Sequence, residues 1–176
     1  MTDVMIDLET FSILPNASIA TIGAIKFNRI NKNQPLIENC DVFYRRIDLE
    51  SCNSIGLHID QKTTDWWNMQ NDESKFEIFS TENRVPIWKA LYEFIEWFGD
   101  STYIWSHGSV FDVIIIENAI RICNLKFPWK FWNIRDTRTL FDIGNVNIPS
   151  NNVHHALYDC YRQIIGIKKF TRKIKI

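Results

Sequence analysis

Val4-Met5-Ile6-Asp7-Leu8-Glu9 is an apolar run that ends in two acids separated by one residue. Read as the exit of a buried strand, it sends Asp7 and Glu9 to one face and Leu8 to the other, because successive strand side chains alternate. Two carboxylates held that close repel one another unless a cation lies between them. The same tripeptide recurs at Asp48-Leu49-Glu50, so the first copy acquires meaning only from partners elsewhere in the chain.

Working outward, residues 19–27 and 41–47 read as two more strands, separated by turn-forming segments at Pro15-Asn16 and over 28–35. Three successive strands with short connections predict an antiparallel meander, since parallel neighbours need a longer crossover. The middle of the chain turns helical. Thr63 or Thr64 can cap a short helix through Trp66, Trp67 and Met69, and Pro86 stands at a favoured first-turn position for a helix over 85–98. In that helix Trp88, Leu91, Tyr92, Ile95 and Phe98 make the apolar stripe, with Lys89, Glu93 and Glu96 off it. Residues 102–106 follow as a strand and Gly108 as a turn. The segment 109–123 reads as helix or strand, because Val113-Ile114-Ile115-Ile116 is β-branched and nearly continuous; its length favours helix. A strand over 132–136 and a terminal helix over 156–170 complete the pattern. The expectation is an α/β fold, a central mixed five-stranded sheet of three antiparallel strands and then a parallel β-α-β unit, flanked by helices.

With 176 residues, 45% apolar and 14% aromatic, the chain can bury the core of one domain spanning 1–176 without disulfides or a structural metal. Cys40, Cys52, Cys123 and Cys160 form no C-x-x-C pair, which predicts free thiols in a reducing compartment, Cys160 as a core thiol. The chain shows no basic leader and no apolar run long enough to cross a bilayer, so a soluble cytoplasmic protein is expected. A net charge of −1 argues against sequence-blind coating of duplex nucleic acid but leaves room for a local groove. The basic residues Lys168, Lys169, Arg172, Lys173 and Lys175 read as a solvated helix tail.

Two further acids stand in suggestive places. Asp7-Leu8-Glu9-Thr10, then Trp105-Ser106-His107-Gly108-Ser109-Val110-Phe111-Asp112, then His154-His155-Ala156-Leu157-Tyr158-Asp159 resemble, in order, the three motifs of the DEDDh 3′-to-5′ exonucleases, which share an RNase H-like fold. Ser18-Ile19-Ala20-Thr21-Ile22-Gly23-Ala24, Asp65-Trp66-Trp67 and Arg135-Asp136-Thr137-Arg138-Thr139 look like the RNase AS branch and its phage-encoded relatives within the RNase T-like group. Two departures stand out. His107 occupies a position where asparagine is common in that branch, and Phe11-Ser12 replaces a threonine and glycine.

The resemblance implies a metal-dependent exonuclease that trims single-stranded RNA or DNA from the 3′ end and releases nucleoside 5′-monophosphates. Its cofactor would be two Mg²⁺ (or Mn²⁺) ions, which can activate water, relieve phosphate charge and stabilise the departing oxygen. Hard ions of this kind take oxygen ligands. By resemblance Asp7 bridges both ions, Glu9 and Asp159 complete the first site, and Asp112 holds the second. The general base is His154 on the family's His-x-x-x-x-Asp spacing, provided that it precedes the regular helix, for which Ser150, Asn151 and Asn152 supply a turn-like lead-in. His155, four residues before Asp159, would share its helical face and is the rival.

Thr10, Phe11, Trp66, His107 and Arg138 are the candidate substrate contacts, the aromatics by stacking on bases and Arg138 by pairing a phosphate. Trp66 and Trp67 point about 100° apart on a helix, so they cannot both face one groove and at least one belongs to the core. Asp136 is expected to cap the turn over 137–142 or to orient Arg138. Relatives often pair as homodimers, and that is carried over as an expectation. A phosphodiesterase for short or cyclic oligonucleotides, and a non-catalytic nucleic-acid-binding module of the same fold, are the alternatives.

Overall fold

A computed structural model of the protein describes residues 2–31, 33, 36–148 and 154–174. β1 (Asp3–Thr10) lies at the centre of the sheet and pairs antiparallel with β2 (Ile19–Phe27), which pairs antiparallel with β3 (Asp41–Asp48). On the other side of β1, β5 (Tyr103–Ser106) and then β6 (Ile134–Asp136) run parallel to it. The meander and the parallel unit are thus as expected. The sheet has one strand more, β4 (Arg84–Pro86), parallel to β3, giving six strands in the order β4-β3-β2-β1-β5-β6. The sequence of β4, Arg84-Val85-Pro86, ends in the proline that reads as a helix start, which hides the strand. Pro86 is tolerated because it ends an edge strand, where no ladder donor is required of it.

The helix expected over 85–98 therefore begins later, as α4 (Ile87–Phe98), and its phase also differs. Ile87, Ala90, Leu91, Phe94 and Phe98 are buried, whereas Trp88 and Tyr92 are 58% and 56% exposed. Two large aromatics dominate the pattern on paper, but the face packed into the core is the one that contains Ala90. Three shorter helices were not foreseen: α1 (Leu49–Ser54), α3 (Asp72–Phe79) and α6 (Thr137–Ile143). α2 (Gln61–Asn68) is capped by Asp60, which accepts from the Lys62 amide, and not by Thr63 or Thr64. The ambiguous β-branched segment is helix, α5 (Asp112–Ile122), and the terminal helix is α7 (Ala156–Lys173). The lead-in read at Ser150, Asn151 and Asn152, and Lys175 of the basic tail, lie outside the described residues.

Side-chain alternation along β1 divides the molecule. Val4, Ile6 and Leu8 enter the core that α4 and α5 share with the sheet, while Met5 joins Ile25, Phe27, Trp105, Ile164 and Ile167 under α7. Asp7 and Glu9 follow Met5 on the α7 side. Gly23 is the cross-strand partner of Asp7. A Cβ at Gly23 would lie 2.6 Å from the backbone of Ala156 and Leu157, so its missing side chain is what admits the start of α7. Cys160, one helical turn on, is buried and donates to the Gly23 carbonyl at 3.3 Å. All four cysteines are free thiols. Among the described residues no helix is long and apolar enough to cross a membrane.

Candidate active site

The extended backbone of β1 delivers Asp7 and Glu9 to one face, and the first turn of α7 brings Asp159 over them. One carboxylate oxygen from each of the three lies within 4.8 Å of the others. Asp112 arrives differently. It is the first residue of α5, and its Oδ1 accepts a hydrogen bond from the Leu8 amide at 3.1 Å, which ties the helix start to the end of β1. The turn before it depends on Gly108, whose φ of +109° is disfavoured for other residues. Asp136 anchors that turn by accepting from the Ser109 amide at 2.5 Å, and it caps α6 by accepting from Arg138 and Thr139, in keeping with its expected capping role.

Removal from water disfavours the charged form of every acid in this cluster, and repulsion by its neighbours adds to it at Asp7 and Glu9. Burial, and then Asp112, Glu9 and Asp159, push the Asp7 carboxyl well above its usual range, opposed by a hydrogen bond from Gln163 Nε2 at 2.9 Å. Glu9 rises to about 8 through burial and the charges of Asp159 and Asp112. Asp112 rises to about 7, again through burial, with the Leu8 amide pulling the other way. Asp159 is raised by burial and held back by the Arg162 guanidinium. The set consists of hard oxygen donors under strain from their own charge, which suits a Mg²⁺-like cation.

These acids and His154 line one cleft of about 520 Å³, together with His107, Arg138, Arg162 and Gln163. His154 precedes α7, so the geometric condition set for it is met. Its amide donates to Ser74 Oγ at 3.1 Å, and its ring stands edge-on to Trp66 and Trp67, with centroids 5.0 and 5.7 Å away. His155 does not share a helical face with Asp159. It is the extended cap of α7, at φ −143° and ψ 111°, and its Nδ1 accepts from the Leu157 amide at 3.3 Å. Its ring stacks on Tyr44 at 4.8 Å.

The aromatic candidates separate. Trp66 is 40% exposed and, with Glu9, Thr10, Ile13, Lys62 and Phe111, lines an adjoining cleft of about 400 Å³. Trp67 is buried and donates its indole N–H to the Thr10 carbonyl at 2.8 Å, so it is the core member of the pair. Phe11 is a correction. It is only 2% exposed and packs with Ala20, Trp67 and Ile78, so it presents no face to a base. Phe11 enters this cluster just after β1 shifts register between Glu9 and Thr10. Thr10 donates its hydroxyl to the Ser12 carbonyl at 2.7 Å. His107 Nδ1 lies 3.0 Å from Thr137 Oγ1, and burial followed by the Arg138 charge lowers its pKa. Arg138 is exposed at the rim, with Nη2 donating to the His107 carbonyl at 3.2 Å.

Arg162 and Gln163 escaped the reading of the sequence. Their signal was present: they stand three and four residues after Asp159, the spacing that shares a helical face.

A profile of the 3′-5′ exoribonuclease Rv2179c-like domain matches residues 2–170. The exodeoxyribonuclease of Enterobacteria phage T4 is 24% identical over 204 aligned positions, which cover 96% of this chain and 88% of that protein. Among solved structures, the metal-free E. coli ExoI–ssDNA complex superposes with a TM-score of 0.59 at 17% identity, over 93% of this chain but only 38% of that one. The nuclease domain of 3′hExo, a DEDDh family member bound to rAMP, superposes with a TM-score of 0.57 at 13% identity, over 99% of this chain and 92% of that one. At such identities the structural likeness shows the shared fold.

Proposed function

The chain belongs to the family of Rv2179c-like 3′-5′ exoribonuclease domains, exonucleases of the DEDDh type, and on that premise we propose that it removes nucleoside 5′-monophosphates from the 3′ end of single-stranded RNA or DNA. The observation that carries this reading is the single cleft that gathers Asp7, Glu9, Asp112, Asp159 and His154. The whole described chain serves that one site as one domain.

Asp7, Glu9 and Asp159 would hold one divalent ion and Asp112, with Asp7, a second, as Mg²⁺ or Mn²⁺. The all-oxygen donor set and the cost of leaving these acids charged without a counter-ion both support this assignment. When bound, such ions lower the pKa of water and neutralise charge on the phosphate. The remaining roles fall to the chain. His154, held outside the helix by Ser74 and the two tryptophans, accepts the proton of the attacking water. Attack at phosphorus with departure of the 3′-oxygen leaves the phosphate on the released nucleotide. Trp66 offers an aromatic face for a base beside Glu9, and Arg138 a guanidinium for a phosphate in the acidic cleft. Thr10 and His107 contribute polar atoms to the walls.

The test is one assay with end-labelled single-stranded RNA and DNA, with Mg²⁺, with Mn²⁺ and with chelator. Stepwise release of 5′-monophosphates from the 3′ end, abolished by chelator and by Asp7→Ala, is expected. Binding without release, or cleavage only of dinucleotides and cyclic dinucleotides, would overturn the reading.

A further inference from the structure

Asp159, Arg162 and Gln163 share one face of α7 and form a wall of the acidic cleft. Arg162 Nη1 donates to Asp159 Oδ1, and Arg162 Nε is buried without a partner among the described residues. An ion pair at this helical spacing is ordinarily a minor feature of a solvated surface. This one differs in what its aspartate also does. The Asp159 carboxylate belongs to the oxygen cluster with Asp7 and Glu9, so one carboxylate faces two cationic claimants.

A guanidinium stays charged at any pH a protein tolerates, so Arg162 cannot yield by losing a proton. It can only move. Its planar fork of donors also matches phosphate, and the unpartnered Nε is a donor in reserve. Arg138, the other guanidinium of the cleft, donates to the His107 carbonyl, and among the described residues it forms no ion pair with a carboxylate. Gln163 binds Asp7 without charge.

We propose that Arg162 is the counter-cation of Asp159 before metal binds, and that a divalent ion displaces it from that carboxylate and turns it toward a phosphate of the substrate. The proposal rests on Asp159 being a metal ligand. It makes Arg162 a positioning residue that couples metal binding to phosphate binding, each tightening the other by the same factor.

The experiment is a Mn²⁺ titration, followed by the electron paramagnetic resonance of free Mn²⁺, with and without adenosine 5′-monophosphate, an exonuclease product that carries no further bond of the kind cleaved. Adenosine serves as the control. In the wild type, the monophosphate and not adenosine should tighten Mn²⁺ binding by about tenfold, within the usual range of such couplings. Arg162→Met should bind Mn²⁺ more tightly than wild type without nucleotide, and the monophosphate should then add little. Arg162→Lys, which keeps the charge and loses the fork, should bind Mn²⁺ like wild type with a weakened monophosphate effect, and it serves also if the methionine variant does not fold. Wild-type Mn²⁺ affinity and an undiminished monophosphate effect in the variants would overturn the proposal. If Asp7→Asn abolishes Mn²⁺ binding while the Arg162 variants behave as wild type, only this proposal fails; if Asp7→Asn binds Mn²⁺ normally, the metal reading fails with it.

Discussion

Asp-Leu-Glu stands twice in this chain. At Asp7-Leu8-Glu9 the backbone stays extended through Thr10, so both acids emerge on one face, next to Asp159. At Asp48-Leu49-Glu50 the strand ends on the first residue and a helix begins on the second. Asp48 turns back to accept hydrogen bonds from the amides of Glu50 and Ser51, at 3.3 and 3.2 Å, while Glu50 is exposed. A two-residue period and a 100° helical step send the same side chains to different places. One copy concentrates negative charge at a cost to folding, and the other spends its first acid satisfying a helix end.

Neutralising either copy tests that division. Asp7→Asn should lower metal-dependent nucleotide release by about a thousandfold, the several kcal/mol that metal-assisted charge stabilisation contributes. Its melting temperature in chelator should equal or exceed that of wild type, because a repelling, desolvated charge is gone. A large loss of stability with retained activity would reverse the roles assigned to the two copies.

Next in size is the pair of histidines beside the first copy's partner acid. His154→Ala should reduce turnover by about a hundredfold or more, in the range for a lost general base, with little change in melting. His155→Ala should instead cost about 1 kcal/mol of stability through the lost cap. Rates and melting curves of both variants check this, and an exchange of the two phenotypes would move the base to His155.

Smaller is the dependence of stability on pH. Glu9 and Asp112, raised to about 8 and about 7 in the folded protein, bind more protons folded than unfolded, so stability falls as pH rises between their ordinary carboxylate range and about 8. Melting in chelator should therefore drop from pH 5 to pH 8. Saturating Mg²⁺ should remove that slope, and Asp7→Asn should flatten it. A slope of opposite sign in chelator would mean that the acids are already compensated.

The smallest effects belong to the second copy. Asp48→Ala should cost about 1 kcal/mol as a lost cap, without changing activity per folded molecule. Glu50→Ala should stay within about 0.5 kcal/mol of wild type, as for an exposed site without special contacts. Denaturant curves and the nucleotide-release assay read both.

Legibility followed pattern length. β1, β2 and β3 carry enough alternating or continuous apolar residues to be seen, and α7 carries enough helical spacing. β4 ends in a proline that reads as a helix start, and α1, α3 and α6 have six to eight residues each. The phase of α4 was lost because Trp88 and Tyr92 outweigh Ala90 in hydrophobic pattern and not in packing. In the site, motif order pointed to Asp7, Glu9, Asp112, Asp159 and His154, which line one cleft, since order along the chain is a sequence property. Phe11 was misassigned because exposure is not one.

The amino-acid sequence by itself determined the chemistry available to this protein: which acids exist, their order, and which of them a strand or a helix brings to the same face, because local backbone geometry follows from local side chains. Only the tertiary structure decided which of those groups meet. Gly23 lets α7 approach β1, Leu8 draws Asp112 to the strand's end, Phe11 packs into the core with Ala20, and Gln163 reaches from α7 to Asp7. Each is an encounter between groups that only packing brings together, in shapes that no local pattern records.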